Sequence, residues 1–427
     1  MRLHMPGHKG NGFLGVESLD ITEIEGADSL YEASGIIAES EKNASALFGC
    51  PTYYSTEGSS QCIRAMLYLA MIYAKQNDKK PIIWAGRNAH KAFCSACALL
   101  DFELDWIYSD TEQSYLSCNI SAEYLNELMN CAIEKPTAVY ITSPDYLGNI
   151  ADISGIARVC HENGVLLLVD NAHGAYLSFL SPSIHPMELG ADICCDSAHK
   201  TLPVLTGGAY LHLSHALNGE LSQYVKDAMV LFGSTSPSYL ILQSLDAANQ
   251  YLASHKSRLS DFCPKIDALK SSLTDGGYTL YGDEPLKITV CAKKYGYLGA
   301  ELAKILLEKS VVCEFSDPDF VVMMFTPEIT DADLEKLKAV MLEIPKRQEI
   351  AENAPEFHKT QRVMRIREAM FSPCEVVLAS EAENRVLASS SEGCPTAVPI
   401  VVSGELIDKN SINAFKYYGI EKIKVIK

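Results

Sequence analysis

Two polar residues stand where short apolar runs of the sequence end. Asp170 closes the run 165–170, and Lys200 follows the run 191–198, within the segment Ser197-Ala198-His199-Lys200-Thr201. Ligands of open α/β sheets bind beyond the carboxyl ends of the strands, so both side chains could face one ligand. A carboxylate can keep a pyridinium nitrogen protonated and a lysine amine can form an imine, a pairing typical of pyridoxal 5'-phosphate (PLP) enzymes. Taken singly, Asp170 could be a helix N-cap and Lys200 a solvated surface lysine.

Such a cofactor also needs an anion site and a ring contact. The segment 55–60, Ser-Thr-Glu-Gly-Ser-Ser, precedes the apolar helical pattern 61–74. Small residues that open a helix N-terminus can bind a phosphate, although many helices begin in this way without a ligand. In the segment 87–91, His90 could stack on an aromatic cofactor, or it could be an ordinary loop histidine.

Elements that could position these residues alternate between strand and helix patterns from about residue 49 to residue 215. Short apolar runs flanked by turn residues are typical of strands that are buried on both faces. These runs are 81–86, 137–144, 165–170, 191–198 and 207–214, and helical patterns between them include 121–135 and 153–164. The alternation predicts an α/β fold with a mostly parallel, doubly wound sheet.

The pattern changes along the chain in a way that predicts three regions. We expect an N-terminal arm and a large ligand-binding domain in residues 1–250, and a smaller α/β domain in residues 251–345. Long helical patterns in residues 238–273 lead from the first domain into the second. Residues 346–427 form a separate C-terminal extension with its own apolar run, 396–407.

Composition excludes several classes of protein. The 427 residues are 48% hydrophobic and carry a net charge of −18, which disfavours nucleic acid and anionic membranes as partners. No apolar run reaches the length of a membrane span, and the N-terminus carries no apolar signal segment. Because the 14 cysteines have no regular spacing, we expect reduced thiols in a cytoplasmic protein. Cys94 and Cys97 form a lone CxxC without a second pair, so no metal site is expected.

Several longer stretches match a known family. They are HMPGHKG (4–10), RNAHK (87–91), ITSPDYLGNIADI (141–153), VDNAHGAY (169–176), DSAHKTLPVLTGGAYLHL (196–213), GSTSPSYLILQSLD (233–246) and CPTAVPIVVSGELI (394–407). In this combination the chain resembles the ornithine/lysine/arginine decarboxylases of PLP fold type I, which is the aspartate aminotransferase-like fold, and especially their short bacterial form. The resemblance implies a homodimer with its active sites at the subunit interface.

The resemblance also implies a role for individual residues. Lys200 would be the Schiff-base lysine, Asp170 would pair with the pyridine nitrogen, and His90 and Ala172 would contact the two faces of the ring. His173 stands where some members carry tryptophan. The phosphate would be held by Gly58, Ser59 and Ser60 with Ser197 and His199 beside it, and by Thr235 and Ser236 from the neighbouring subunit. Glu57 and Ser60 depart from the usual Asn-Gly-Thr-Ser pattern of the family.

The expected reaction is decarboxylation of a basic amino acid, with arginine as the first choice and lysine or ornithine as the next. His199 and Lys200 are the candidates for the acid that returns a proton to Cα. Acidic residues of the arm could bind the cationic end of the substrate, or they could form a solvated loop: Glu25, Asp28 and Glu32. Another fold type I lyase, an aminotransferase and a non-catalytic PLP-binding relative are the alternatives. No arginine lies between Arg258 and Arg347, which disfavours an aminotransferase that grips the α-carboxylate with a small-domain arginine.

Overall fold

The structure is a computed structural model that describes residues 1–110, 115–389 and 398–427. The first four residues of the motif 394–407 therefore lie outside the described part of the chain. Contacts divide the chain into two compact units. Unit 1 comprises residues 1–83, 125–143 and 152–257, and unit 2 comprises residues 84–124, 144–151 and 258–427.

Helices and strands alternate through most of the described residues. The helices are α1 Ile36–Phe48, α2 Ser59–Gln76, α3 Lys91–Leu100, α4 Ala122–Cys131, α5 Ile153–Glu162, α6 Ala198–Thr201, α7 His215–Leu221, α8 Val225–Leu231, α9 Tyr239–Leu252, α10 His255–Asp275, α11 Gly299–Glu308, α12 Asp331–Glu343, α13 Ile366–Met370 and α14 Lys409–Tyr417. The strands are β1 Thr52–Ser55, β2 Ile82–Gly86, β3 Glu103–Ile107, β4 Ala138–Thr142, β5 Leu166–Asp170, β6 Ile193–Asp196, β7 Ala209–Leu213, β8 Leu280–Tyr281, β9 Lys287–Cys291, β10 Phe315–Ser316, β11 Phe320–Met324, β12 Cys374–Leu378 and β13 Lys422–Ile426. Among the described helices, none is both long enough and apolar enough to cross a membrane.

Seven strands form the main sheet, in the order β1-β7-β6-β5-β4-β2-β3. Strands β4, β5 and β6 run parallel, with Thr142 opposite Asp170 and Asp170 opposite Cys195. The parallel register brings the carboxyl ends of these strands to one edge of the sheet, which is where polar side chains can meet a ligand. Strand β7 runs antiparallel to β6, and β1 antiparallel to β7. The predicted α/β class is confirmed, and in these pairings β7 is the strand that departs from the common direction, since β1 again runs parallel to β6.

Helix boundaries in unit 1 follow local chemistry. Helix α1 ends at Phe48 because Gly49 takes the left-handed conformation, with a φ of 71°. Its first turn lies against Asp28, whose carboxylate accepts hydrogen bonds from the backbone N–H groups of Gly35 and Ile37 at 2.8 and 3.0 Å. These N–H groups have no partner inside the helix, so the carboxylate both satisfies them and complements the helix dipole.

Unit 2 contains two further sheets. Strands β10, β11, β9 and β8 form an antiparallel sheet in that order, and β12 pairs antiparallel with β13. Buried apolar residues of the C-terminal segment, among them Ile400, Val401 and Phe415, belong to one core with Val322 of β11. The domain boundaries expected near residues 250 and 345 stay predictions.

A buried ion pair anchors the C-terminal segment within unit 2. Nη2 of Arg87 lies 3.3 Å from Oε2 of Glu405, and both side chains are at most 5% exposed. The guanidinium also donates to the carbonyl oxygens of Pro399 and Ile400 at 2.8 and 3.0 Å. Charged groups inside a protein are stable only when they are paired and hydrogen-bonded, which is the case here. Arg87, a residue of the motif 87–91, therefore has a structural role.

Candidate active site

Asp170 lies at the carboxyl end of β5, and only 2% of it is exposed. Its Oδ2 accepts a hydrogen bond from the hydroxyl of Tyr140 at 2.9 Å, and its Oδ1 accepts one from the backbone N–H of Ala172 at 3.2 Å. These two donors fix the plane of the carboxylate. An ionised carboxylate has about four acceptor positions, so it can still accept a bond from a ligand.

Lys200 lies in the short helix α6, which follows β6 directly. Its Nζ is 3.0 Å from Nε2 of His173, a residue that is 5% exposed. The parallel pairing of β5 with β6 explains this contact, because His173 lies in the segment after β5 and Lys200 in the short helix after β6. The two nitrogens share one hydrogen bond, so a proton can pass between the amine and the imidazole.

A candidate phosphate cradle lies at the start of α2. Gly58 precedes this helix with a φ of 71° and offers no side-chain cap, so the first N–H groups of an 18-residue helix can face an anion. Ser59 Oγ lies 2.8 Å from the Oγ of Ser197, which begins the turn that carries Lys200. Two buried hydroxyl oxygens nearby in sequence have no hydrogen-bond partner among the described residues, those of Thr56 and Thr201. The residues present therefore fit a phosphate group.

The remaining predicted residues of unit 1 have different surroundings. The ring Nδ1 of His199 donates a hydrogen bond to the carbonyl oxygen of Gly208 at 3.0 Å. The second polar atom of the ring is Nε2. Ala172 is buried and Ser60 is half-buried. Thr235 and Ser236 are exposed in the turn before α9. Exposure is compatible with a contact to another subunit.

His90 belongs to unit 2, where it precedes α3. Its ring Nδ1 accepts a hydrogen bond from the backbone N–H of Ala92 at 3.1 Å, so the side chain caps the helix. The sequence suggested a stacking histidine or an ordinary loop histidine, and the capping role is a third function that the sequence analysis did not consider.

Comparison with known proteins identifies the family. Residues 9–276 match the family model described as the major domain of Orn/Lys/Arg decarboxylase. The chain belongs to this family. An arginine decarboxylase of Bacillus subtilis is 28% identical over 97% of this chain and 89% of its own length.

Solved structures show the fold. The lysine decarboxylase of Francisella novicida superimposes with a TM-score of 0.79 at 17% identity, and the match covers 100% of this chain and 79% of that chain. A cysteine desulfurase of Thermococcus onnurineus gives a TM-score of 0.56 at 15% identity, with 72% and 83% of the chains covered. The expected fold type I is confirmed. Because the chain belongs to the Orn/Lys/Arg decarboxylase family and has this fold, it is a PLP-dependent amino-acid decarboxylase.

The sequence analysis of this decarboxylase missed Tyr140. This residue is fully buried in β4, and its hydroxyl reaches Asp170 across thirty residues of sequence. A tyrosine inside an apolar strand carries no local signal of a polar role, because only the pairing of β4 with β5 brings the two side chains together. A buried tyrosine hydroxyl nevertheless needs a partner, and this requirement is the one clue that the sequence offered.

We expect Tyr140→Phe to lower kcat of the decarboxylase about threefold to tenfold, the effect of losing one hydrogen bond worth about 0.5–1.5 kcal/mol. The loss leaves Asp170 Oδ2 without this donor, while the aromatic ring keeps its place in the core. Steady-state kinetics of the PLP-loaded variant would measure the change. Tyr73→Phe, on the helix α2 of the same unit, is the control, and an unchanged kcat in Tyr140→Phe would contradict the prediction.

Gly207 supports the phosphate cradle from the side of β7. Its carbonyl oxygen accepts from the backbone N–H of Gly58 at 2.7 Å, and its φ is +100°. A Cβ at this position would lie 2.9 Å from the carbonyl oxygen of Thr56. We expect Gly207→Ala to weaken PLP binding and to lower the free energy of unfolding by about 1–3 kcal/mol. The alanine would have to adopt a positive φ, and its Cβ would clash with the backbone of Thr56.

Thermal unfolding of the apoprotein and titration with PLP would measure the two effects of Gly207→Ala separately. Gly219→Ala is the matched control, since a Cβ there would have no atom of the described part of the chain within 4 Å. Equal melting temperatures and equal PLP affinities for the two variants would show that Gly207 has no special role.

Proposed function

We propose that this decarboxylase acts on arginine and releases agmatine and carbon dioxide, with lysine and ornithine as weaker alternatives. The support is the sequence likeness to relatives that are named arginine decarboxylases, at 28% and 26% identity over nearly the whole chain. In the site, the observation that supports a decarboxylase is the set of polar groups after two neighbouring strands. Asp170 is buried at the end of β5, and Lys200, after β6, contacts His173.

The contacts of the residues support the roles that we propose for them. Asp170 would hold the pyridine nitrogen of PLP in its protonated form, and Tyr140 and Ala172 keep its carboxylate in one plane. Ala172 and His90 would contact the faces of the ring. PLP, when bound, supplies the electron sink for the carboxylate's departing electron pair.

The phosphate of the cofactor would lie at the N-terminus of α2. Its ligands in unit 1 would be Gly58, Ser59 and Ser60, together with Ser197 and His199. The Ser59–Ser197 contact at 2.8 Å supports this group, since it brings the two turns within reach of one anion. Backbone N–H groups at a helix start need no rearrangement to bind a phosphate.

Lys200 would attach the cofactor and return the proton to Cα. Its hydrogen-bond contact with His173 Nε2 supports this role, because the imidazole can take up or supply the proton that the amine exchanges. His199 remains a second candidate for the acid. Its Nδ1 donates to Gly208, which leaves Nε2 for a ligand.

Recognition of the cationic end would use acidic groups of the arm. Burial raises the pKa of the Asp28 carboxyl, but hydrogen bonds from Ser34, Gly35 and Ser29 outweigh burial and hold that pKa below its ordinary value. Asp28 thus serves the start of α1, which makes Glu25 and Glu32 the stronger candidates, since both are exposed.

A homodimer would complete the site. Thr235 and Ser236 are exposed at the start of α9, as expected for residues that reach the phosphate in a second subunit. In this arrangement the exposed acids of the arm would also be able to reach across the subunit interface.

Product analysis tests the substrate proposal. The PLP-loaded protein is incubated in parallel with arginine, lysine and ornithine, and the amines are identified by mass spectrometry. We expect agmatine as the main product, with Lys75→Ala, an exposed lysine on α2, as the active control. Cadaverine as the main product would show that lysine is the substrate instead of arginine, and putrescine would show that ornithine is. No amine from any of the three would favour another fold type I lyase, or a relative that binds PLP without catalysis.

A further inference from the structure

Behind the candidate site lies a buried polar network centred on Asp196, the last residue of β6. Its side chain is fully buried. Oδ2 lies 3.0 Å from Nε2 of His185 and 3.0 Å from Nε2 of His212, and Oδ1 accepts from the amide of Asn171 at 2.7 Å. Both imidazoles are also fully buried. None of these contacts belongs to the cofactor or substrate assignments made above.

The partners of the two rings determine where their protons lie. His185 Nδ1 accepts from the backbone N–H of Met187 at 3.3 Å, so its Nε2 carries the proton and donates to Asp196. His212 Nδ1 lies 2.9 Å from the hydroxyl of Thr52. Burial lowers the pKa of His212, which favours a neutral ring, and its Nε2–H then points to the carboxylate.

Asp196 is thus a buried carboxylate that accepts hydrogen bonds from both rings and from the amide of Asn171. Burial raises the pKa of its carboxyl, but the adjacent His185 and His212 outweigh burial and hold that pKa below its ordinary value. His185, Cys194 and Asp196 also place ligand atoms within 4.8 Å of one another, a spacing that a metal ion could use. Because the hydrogen bonds already occupy the ring nitrogens and the carboxylate, a hydrogen-bonded network describes the group without a metal.

Asn171 links this network to the active-site turn. It stands between Asp170 and Ala172, and its amide fills the space beside Gly174, where a Cβ would lie 1.9 Å from Asn171 Oδ1. The backbone N–H of Gly174 donates to the carbonyl oxygen of Asn171 at 2.8 Å, which closes the turn. Asn171 thus connects the carboxylate of Asp196 to the turn that contains Asp170 and His173.

We propose that Asp196 is a positioning residue for this decarboxylase: through Asn171 it fixes the turn 170–174, and with it the directions of Asp170 and His173. The proposal rests on the proposed function, since it takes Asp170 and His173 as cofactor and proton-transfer groups. A rigid second layer of hydrogen bonds is the usual means by which a protein keeps reacting groups in register. Both carboxylate oxygens of Asp196 act as acceptors, so an amide there would point an N–H group either at the histidine N–H groups or at the amide of Asn171.

Asp196→Asn and Asn171→Ala test the proposal together. The first removes the anion at the centre of the network, and the second leaves the network but cuts its link to the turn. We expect each to lower kcat about 10-fold to 100-fold, as for a small misplacement of reacting groups, and to weaken PLP binding to the apoprotein. The effects should be non-additive in the double variant, because both changes break one path. PLP titration of the apoprotein gives a readout that does not depend on turnover.

Asp192→Asn is the matched control, because Asp192 precedes the same strand at its other end and also pairs with a histidine, His161, at 3.0 Å. It should keep PLP affinity and kcat within about twofold, the size of effect usual for changes outside the site. The proposal would be overturned if Asp196→Asn kept kcat and PLP affinity as well as Asp192→Asn does. It would also be overturned if Asp192→Asn lost as much of both. Stoichiometric zinc that Asp196→Asn releases would overturn it too, since the cluster would then be a metal site.

Two outcomes separate this proposal from the function itself. If Asp196→Asn and Asn171→Ala retain wild-type kinetics while Asp170→Asn does not, the positioning role is wrong and the proposed function stands. If Asp170→Asn also retains wild-type kinetics, the assignment of the site has failed and the positioning role fails with it.

Discussion

Lys200→Ala will abolish amine production from the proposed substrate, arginine, and will remove the visible absorbance that PLP acquires on attachment to the enzyme. The loss of proton transfer by this side chain alone accounts for a decrease in kcat of about 10²–10⁴-fold, and the loss of covalent attachment adds to it. The Nζ of Lys200 contacts Nε2 of His173 at 3.0 Å, so the variant also removes this hydrogen bond. Absorption spectra and amine quantification measure the two effects.

The control for Lys200→Ala is Lys75→Ala, which removes an exposed lysine of the same unit. It should keep both the spectrum and the rate. Retention of wild-type turnover in Lys200→Ala would assign the chemistry to another lysine and would remove the basis of the proposed site.

Asp170→Asn will lower both PLP affinity and kcat. The amide has the shape of the carboxylate and can still accept from Tyr140, but it has no charge to offer the pyridinium nitrogen. A hydrogen bond to a charged group contributes about 1.5–3 kcal/mol, which corresponds to about 10-fold to 150-fold. Because Asp170 is only 2% exposed, water does not replace the missing charge.

Titration of apo Asp170→Asn with PLP, followed by kinetics at saturating cofactor, separates binding from turnover. Asp192→Asn again serves as the control, since it removes a buried carboxylate of the same sheet away from the carboxyl ends of β5 and β6. Equal PLP affinities in Asp170→Asn and the wild type would show that this carboxylate does not meet the pyridine nitrogen.

The secondary structure that carries the site could be predicted from the sequence. The apolar runs 165–170 and 191–198 correspond to β5 and β6, although β6 is shorter because Ala198 already belongs to α6. Helix α5 ends before Gly164, whose φ of 66° makes it the expected terminating glycine. The predicted helix 121–135 ends early, at Cys131. Hydrophobic periodicity and glycine positions are local signals, so they can be read from the sequence without knowledge of the tertiary structure.

The side-chain contacts of the site could not be predicted in this way. Tyr140 meets Asp170, and Asp196 meets Asn171, across 30 and 25 residues. Such contacts depend on which strands are neighbours and on the register between them, and neither quantity appears in a local pattern. His185 is a further example, because it reaches Asp196 from a segment without helix or strand. The family resemblance implied which residues would bind the cofactor, but it did not indicate which neighbours fix those residues in position.

The helix cap formed by His90 has a consequence for the charge of its imidazole ring. Its Nδ1 accepts the N–H of Ala92, so a proton on that nitrogen would end the hydrogen bond and expose the start of α3. The cap therefore favours the neutral imidazole with its proton on Nε2. A ring proposed to stack on a protonated pyridine benefits from this constraint, because two cationic rings face to face would repel each other. Helix stability in one segment of the chain would thus keep the stacking partner uncharged.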